Sequence, residues 1–165
     1  MLQEAFGHTG ESRIVSWLPL FHDWGLIGGL LQPIYSGIQS ILFDPFEFVR
    51  KPRNWLDVIS RYGATVSGAP NFAYDQCLQT LQPGELDELD LSRWEVAIVG
   101  AEPIRAETLD RFESLFVPCG FKRSAFFASY GLAESTLVVT GGHRGKEPVT
   151  IALDRGALEL SLIHI

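Results

Sequence analysis

Short apolar blocks alternate with segments of helical period along this chain, and most blocks end at glycine, proline or an acidic residue. Arg13-Ile14-Val15-Ser16-Trp17-Leu18 reads as a strand closed by Pro19, which has no backbone donor for a ladder. Gly25 to Leu31 reads as a short apolar helix stopped near Pro33, and Gln39 to Phe43 alternates poorly, as in a strand buried on both faces. In Asn54 to Tyr62 the residues Trp55, Leu56, Ile59 and Tyr62 recur at helical spacing, with Asp57 and Arg61 on the other side. Ala64 to Ser67 is a further strand and Gly68-Ala69-Pro70 a turn. Asn71 to Leu81 is a helix, Trp94 to Val99 a strand, and Arg105 to Phe116 an amphipathic helix broken by Pro118-Cys119-Gly120. This rhythm predicts an α/β fold.

Two strand ends draw attention. Ala125-Phe126-Phe127-Ala128 runs into Ser129-Tyr130-Gly131-Leu132-Ala133-Glu134-Ser135-Thr136, which reads as a glycine turn and the first turn of a helix. Ala97-Ile98-Val99-Gly100-Ala101-Glu102-Pro103 has the same form. Open α/β sheets bind ligands beyond the carboxyl ends of their strands, and a flat ring beside a carboxylate suits a nucleotide carrying a metal ion. Two such ends would form the walls of one slot. Taken singly, each stretch also reads as a turn with ordinary packing and a glutamate favoured by a helix dipole.

Composition narrows the classes. The 165 residues are 46% hydrophobic and 20% charged, enough for a buried core and without a disordered signature. A net charge of −7 with no Lys/Arg cluster argues against nucleic acid or an anionic membrane surface as partner. Cys77 and Cys119 lack metal or redox spacing and read as reduced, buried thiols of a cytoplasmic protein. The start, with Glu4, His8, Glu11 and Arg13, does not read as a signal peptide. Trp24 to Phe43 is uncharged and of spanning length, but Gln32, Pro33, Ser36, Gln39, Ser40 and four glycines favour a helix followed by a strand. The acidic run Glu85 to Asp90 is interleaved with Leu86, Leu89 and Leu91, as in an anchored surface segment rather than an ion site.

Gly100-Ala101-Glu102-Pro103 and Ser129-Tyr130-Gly131-Leu132-Ala133-Glu134 follow Trp17-Leu18-Pro19-Leu20-Phe21-His22-Asp23-Trp24-Gly25-Leu26 and Ser67-Gly68-Ala69-Pro70-Asn71-Phe72-Ala73-Tyr74-Asp75. In that order the four blocks resemble the adenylate-forming enzymes, and within them the fatty acyl-AMP ligases. The resemblance spans roughly residues 1 to 155. It implies the central part of a large N-terminal AMP-binding domain, with segments of two sheets flanked by helices. It also implies ATP and Mg2+, with Glu134 as the catalytic carboxylate that helps hold the metal.

By the same resemblance Tyr130 lies against the adenine, Gly100, Ala101, Glu102 and Pro103 along its other side, and Ser129, Gly131, Leu132 and Ala133 line the nucleotide slot. Family members outside the acyl-AMP branch often have threonine at Ala133. His22, Gly25, Ser67, Gly68, Asn71 and Phe72 fall on the acid-binding side, where an acyl chain needs an apolar tunnel. His22 beside Asp23 also reads as a structural pair and is not needed as a base, because the acid is already ionised at neutral pH. About residues 138–158 resemble the start of the insertion that separates acyl-AMP ligases from acyl-CoA synthetases.

The implied activity is activation of a fatty acid to acyl-adenylate for an acyl carrier protein or the carrier domain of a polyketide or non-ribosomal peptide synthase. The family's phosphate loop, ribose aspartate and small C-terminal domain do not occur in this sequence, so little turnover is expected of the chain alone. Leu160 to Ile165 departs from the family pattern. A fatty acyl-CoA synthetase and a non-catalytic nucleotide- or lipid-binding module stay open. A hydrolase is weaker, since no G-x-S-x-G turn presents a nucleophile.

Overall fold

The structure is a computed structural model and describes residues 2–81, 83–154 and 156. Its strands are β1 (Arg13–Ser16), β2 (Gln39–Leu42), β3 (Val66–Pro70), β4 (Val96–Gly100), β5 (Phe126–Gly131) and β6 (Val138–Gly141). They join in the order β2-β1-β3-β4-β5-β6, all parallel except the β5–β6 pair. The α/β class therefore stands. Strand β5 joins the parallel segment to an antiparallel one, pairing with β4 through Ala128 and with β6 from Ser129 onward.

Side chains alternate across the sheet and divide the core in two. Along β4, Ala97 and Val99 face one layer, while Val96 and Ile98 face the other. The α-helices are α1 (Leu2–Phe6), α2 (Gln32–Ser36), α3 (Pro45–Arg50), α4 (Arg53–Tyr62), α5 (Asn71–Thr80) and α6 (Ala106–Phe116), of which the last four lie in the first layer. The centre of that layer is aromatic: Trp55 meets Trp94 edge-on at 5.3 Å, and Tyr74 meets Phe112 at 5.0 Å. Such pairs each add on the order of 1 kcal/mol beyond area burial. Helix α4 forms because Trp55, Leu56 and Ile59 share one stripe, and it ends where Gly63 turns left-handed at φ 56°.

The second layer is thinner. Leu2 and Phe6 of the short N-terminal helix (Leu2–Phe6) pack there with Ile14, Val66, Phe127 and Leu137, flanked by Trp24 and Ile27. Trp24–Leu31 is a π-helix that runs directly into an α-helical turn, Gln32–Ser36. Pro33 thus does not stop the helix. It sits in the first turn after the change of register, where its missing donor is least needed, and the stop comes at Gly37 with φ 64°.

Three further expectations are corrected. β2 is not buried on both faces but is an outer strand, with Gln39 and Leu42 exposed. Gly68, Ala69 and Pro70 are not a turn; they extend β3 in register with Ile98, Val99 and Gly100. Beyond Gly131 the chain makes only a single 3-10 turn, Ala133–Ser135, and reverses into β6 instead of starting a helix. The Leu132 amide donates to the Leu137 carbonyl at 2.9 Å and closes that hairpin.

No helix among the described residues is long and apolar enough to cross a membrane. Leu86, Leu89 and Leu91 are buried anchors beneath the acidic segment. The expected block of residues 138–158 begins as β6 and continues as mostly exposed chain to Asp154. Its far end and Leu160 to Ile165 lie outside the described residues.

Candidate active site

The register Pro70↔Gly100 and Val99↔Ala128 brings the carboxyl ends of β3, β4 and β5 level. A crevice follows where the chain leaves the sheet at three neighbouring points. Beneath it, on the thin-layer side, lies a cavity of about 450 Å³. Its walls are Phe6, Ile14, Val66, Ile98, Leu137 and Val138, together with the π-helix residues Trp24, Gly28 and Gly29. The size lies within the range of roughly 300–1,000 Å³ usual for small-ligand sites.

Glycine makes this room at Gly68. A Cβ there would stand 2.6 Å from Ile98 Cβ and 2.9 Å from Trp24 Cζ2, so any side chain would fill the cavity wall. Ala101, at the cavity's edge directly after β4, holds φ 61°, an uncommon value for a residue with a side chain. Strain of this kind tends to gather at functional sites.

Eight of the residues singled out in the sequence line this cavity: His22, Ser67, Gly68, Ala101, Ser129, Gly131, Leu132 and Ala133. Their side chains are not equally available. The Ser67 hydroxyl accepts from Trp55 Nε1 at 2.8 Å and donates to the Val15 carbonyl at 2.7 Å. It is thus occupied in the aromatic layer and meets the cavity through backbone. His22 Nδ1 accepts from the Trp24 amide at 3.1 Å and stands 2.6 Å from Asp23 Oδ1. Asp23 also accepts from the Trp24 amide at 2.7 Å and caps the π-helix.

The others lie outside the lining. Asn71 is buried, donating to Asp75 Oδ2 and Thr108 Oγ1 at 3.2 Å each and accepting from the Arg105 amide at 3.0 Å. This network ties the starts of α5 and α6 together below the crevice. Phe72 is half-exposed, and its amide donates to Glu102 Oε1 at 2.5 Å. Gly25 is buried where the π-helix meets the preceding loop. Gly100 pairs with Pro70, and Pro103 is exposed after it.

Tyr130 is 60% exposed. Alternation along β5 places it on the face opposite Ser129 and Gly131, the side of Phe126 and α5. Glu134 is exposed on the 3-10 turn. Among the described residues no group of three or more His, Cys, Asp or Glu is arranged to hold a metal ion. Glu134 offers a single carboxylate, which fits Mg2+, an ion commonly held by one or two carboxylates plus substrate phosphates. The crevice thus has an apolar chamber on one face of the sheet and an exposed aromatic ring on the other.

Leu137, Phe6 and Ile98 are cavity residues that the sequence pattern gives no reason to separate from core. Tyr74, within the Ser67–Asp75 block, faces the other layer, where its hydroxyl donates to the Ile98 carbonyl at 2.9 Å. Burial pushes its ionisation well above the ordinary tyrosine value and keeps it a donor.

The family model described as AMP-binding enzyme matches residues 1–155. The medium-chain-fatty-acid–[acyl-carrier-protein] ligase JamA of Moorena producens is 44% identical over 99% of this chain and 28% of its own length. A putative acyl-CoA synthetase of Caulobacter vibrioides is 42% identical over 94% of this chain and 27% of its own. The crystal structure of a fatty acyl-adenylate ligase from L. pneumophila, in complex with acyl adenylate and pyrophosphate, superposes with a TM-score of 0.87. It is 49% identical and covers 88% of this chain and 26% of that one. The chain spans about a quarter of the length of the relatives it matches. It belongs to the AMP-binding enzyme family.

Proposed function

We propose that the protein containing this chain activates a fatty acid with ATP, giving acyl-adenylate and pyrophosphate, and passes the acyl group to an acyl carrier protein. The observation that carries this reading is the apolar cavity opening at the carboxyl ends of β3, β4 and β5, beside the Gly100–Pro103 loop and Tyr130. A tail in the chamber would leave its carboxylate at the crevice, and each buried methylene contributes about 0.8 kcal/mol.

In the reaction a carboxylate oxygen attacks the α-phosphorus. The bond from that phosphorus to the bridging oxygen breaks, and pyrophosphate leaves with the electron pair. No proton has to be removed from the acid, so His22 serves as part of the cavity wall and the Asp23 cap rather than as a base. Tyr130 offers a flat exposed face for the adenine, with Gly100, Ala101, Glu102 and Pro103 opposite. Ser129, Gly131, Leu132 and Ala133 border the reacting groups. Glu134 would hold Mg2+, which supplies charge stabilisation at the phosphates.

Asn71 acts beneath the site through Asp75 and Thr108, and Phe72 through Glu102. Residues 1–165 then form the central part of the AMP-binding domain, with the family insertion starting near Val138, in a cytoplasmic protein. A second reading, acyl-CoA synthesis, is favoured by the name of the Caulobacter relative. Products formed by the full-length protein from ATP, magnesium and decanoate, with and without coenzyme A, decide between them. Acyl-AMP that ignores coenzyme A supports the ligase, a thioester supports the synthetase, and no adenylate in either condition rejects both.

A further inference from the structure

We propose that Leu137 is a positioning residue that couples the apolar cavity to the turn bearing Glu134, so that an acyl chain long enough to reach its side chain sets that turn. The inference rests on the adenylation reading above.

Leu137 belongs to both structures at once. Its side chain is buried in the thin-layer cluster and lines the cavity, with Cδ2 only 3.4 Å from where a Cβ on Gly28 of the π-helix would stand. Its carbonyl accepts the Leu132 amide at 2.9 Å. The same oxygen presses so closely on Gly131 that a Cβ there would lie 1.9 Å away. The hairpin base is therefore fixed by Leu137 on one side and by a residue with no side chain on the other.

The rest of the turn has little else to hold it. Residues 133–136 are all exposed, and of 132–137 only Leu137 is buried. Two short-range bonds, Ser135 to Leu132 at 3.1 Å and Thr136 to Ala133 at 3.0 Å, shape the turn without attaching it to the sheet. Thr136 is held at φ 73°, and the ladder slips between Tyr130 and Gly131 just before the turn. Segments with few buried contacts open most readily, so the position of this turn depends on how firmly Leu137 is packed. Close-packed interiors transmit such changes, and a chain filling the space beside Gly28 would pack Leu137 from its open side.

The test uses the full-length protein with butanoate, hexanoate, octanoate, decanoate and tetradecanoate. Pyrophosphate release gives kcat, KM and the magnesium concentration for half-maximal rate with each acid. The wild type is expected to show kcat rising about tenfold or more along the series, with the magnesium requirement falling in parallel. Leu137→Ala should collapse the ratio of long-chain to short-chain kcat toward one and abolish the magnesium trend, and Leu137→Met should restore both. If the alanine variant does not fold, Leu137→Val and Leu137→Met make the same comparison. A uniform loss of kcat across all acids, with the ratio and the magnesium trend intact, is what a merely structural residue gives and would overturn the proposal. A wild type that makes adenylate without any chain-length trend in kcat also overturns it, leaving the adenylation reading standing. A wild type that makes no adenylate overturns both.

Discussion

The Phe72 amide donates to the Glu102 carboxylate at 2.5 Å, joining the first turn of α5 to the loop after β4. An acid at a helix N-terminus satisfies a free amide and meets the positive end of the dipole. The same contact fixes the Gly100–Pro103 loop, whose Ala101 holds a positive φ. Replacing Glu102 by Ala is expected to lower stability by about 1 kcal/mol, with Glu102→Gln losing less because its amide oxygen still accepts. Urea unfolding of the two variants checks this, and equal losses would mean that the contact is not used.

Ser67 gives a sharper distinction. Its hydroxyl lies between Trp55 Nε1 and the Val15 carbonyl, on the face away from the cavity. Ser67→Ala leaves the indole N–H without an acceptor in the aromatic core, at a cost of about 1–3 kcal/mol. The expected signature is a lower urea midpoint. Weaker fatty-acid binding at unchanged stability would instead put the hydroxyl on the substrate.

How far the sequence could be read depends on what each feature needs. The period of Trp55, Leu56 and Ile59 and the apolar blocks before Gly100 and Ser129 are local, and they became the expected helix and strand ends. Outer position is not local: β2 looks like a central strand until its missing neighbour is known. Pro33 misleads because a proline that ends most helices is harmless within the first turn of a new register. Which face a residue serves is also hidden. Ser67 and Gly68 are adjacent, yet one side chain enters the aromatic layer while the other's absence opens the cavity. Leu137 is one leucine among many until the hairpin places it in the chamber wall.

His8 sets a dependence on pH. It is buried beside Phe6, among the described residues neither ring nitrogen has a hydrogen-bond partner, and burial, reinforced by the nearby Arg144 guanidinium, lowers its pKa from 6.5. A buried imidazole of this kind stays neutral in the fold, so between the two pKa values the unfolded chain binds more protons than the folded one. Stability is therefore complete above pH 6.5 and falls as the pH drops toward the folded value. His8→Phe should flatten the dependence of the unfolding midpoint on pH over that window. A slope unchanged by the substitution would assign it to other groups.

Tyr130 and the neighbouring loop carry a separate expectation. The exposed ring is read as a platform for adenine, so Tyr130→Ala should raise the KM for ATP by about tenfold. The KM for the fatty acid should change far less, since the cavity lies on the other face of β5. Steady-state kinetics of the full-length variant separate the two, and a larger effect on the acid than on ATP would reverse the assignment.

The most direct measurement is fatty-acid-dependent exchange of labelled pyrophosphate into ATP by the full-length protein, compared with its Glu134→Gln variant. Exchange reports reversible acyl-adenylate formation alone, whatever accepts the acyl group afterwards. The expected result is exchange that requires the fatty acid and magnesium and falls at least about tenfold on loss of the Glu134 charge. Exchange that is absent from the wild type, or undiminished in the variant, would contradict the assignment of this crevice as the site where the acid is activated.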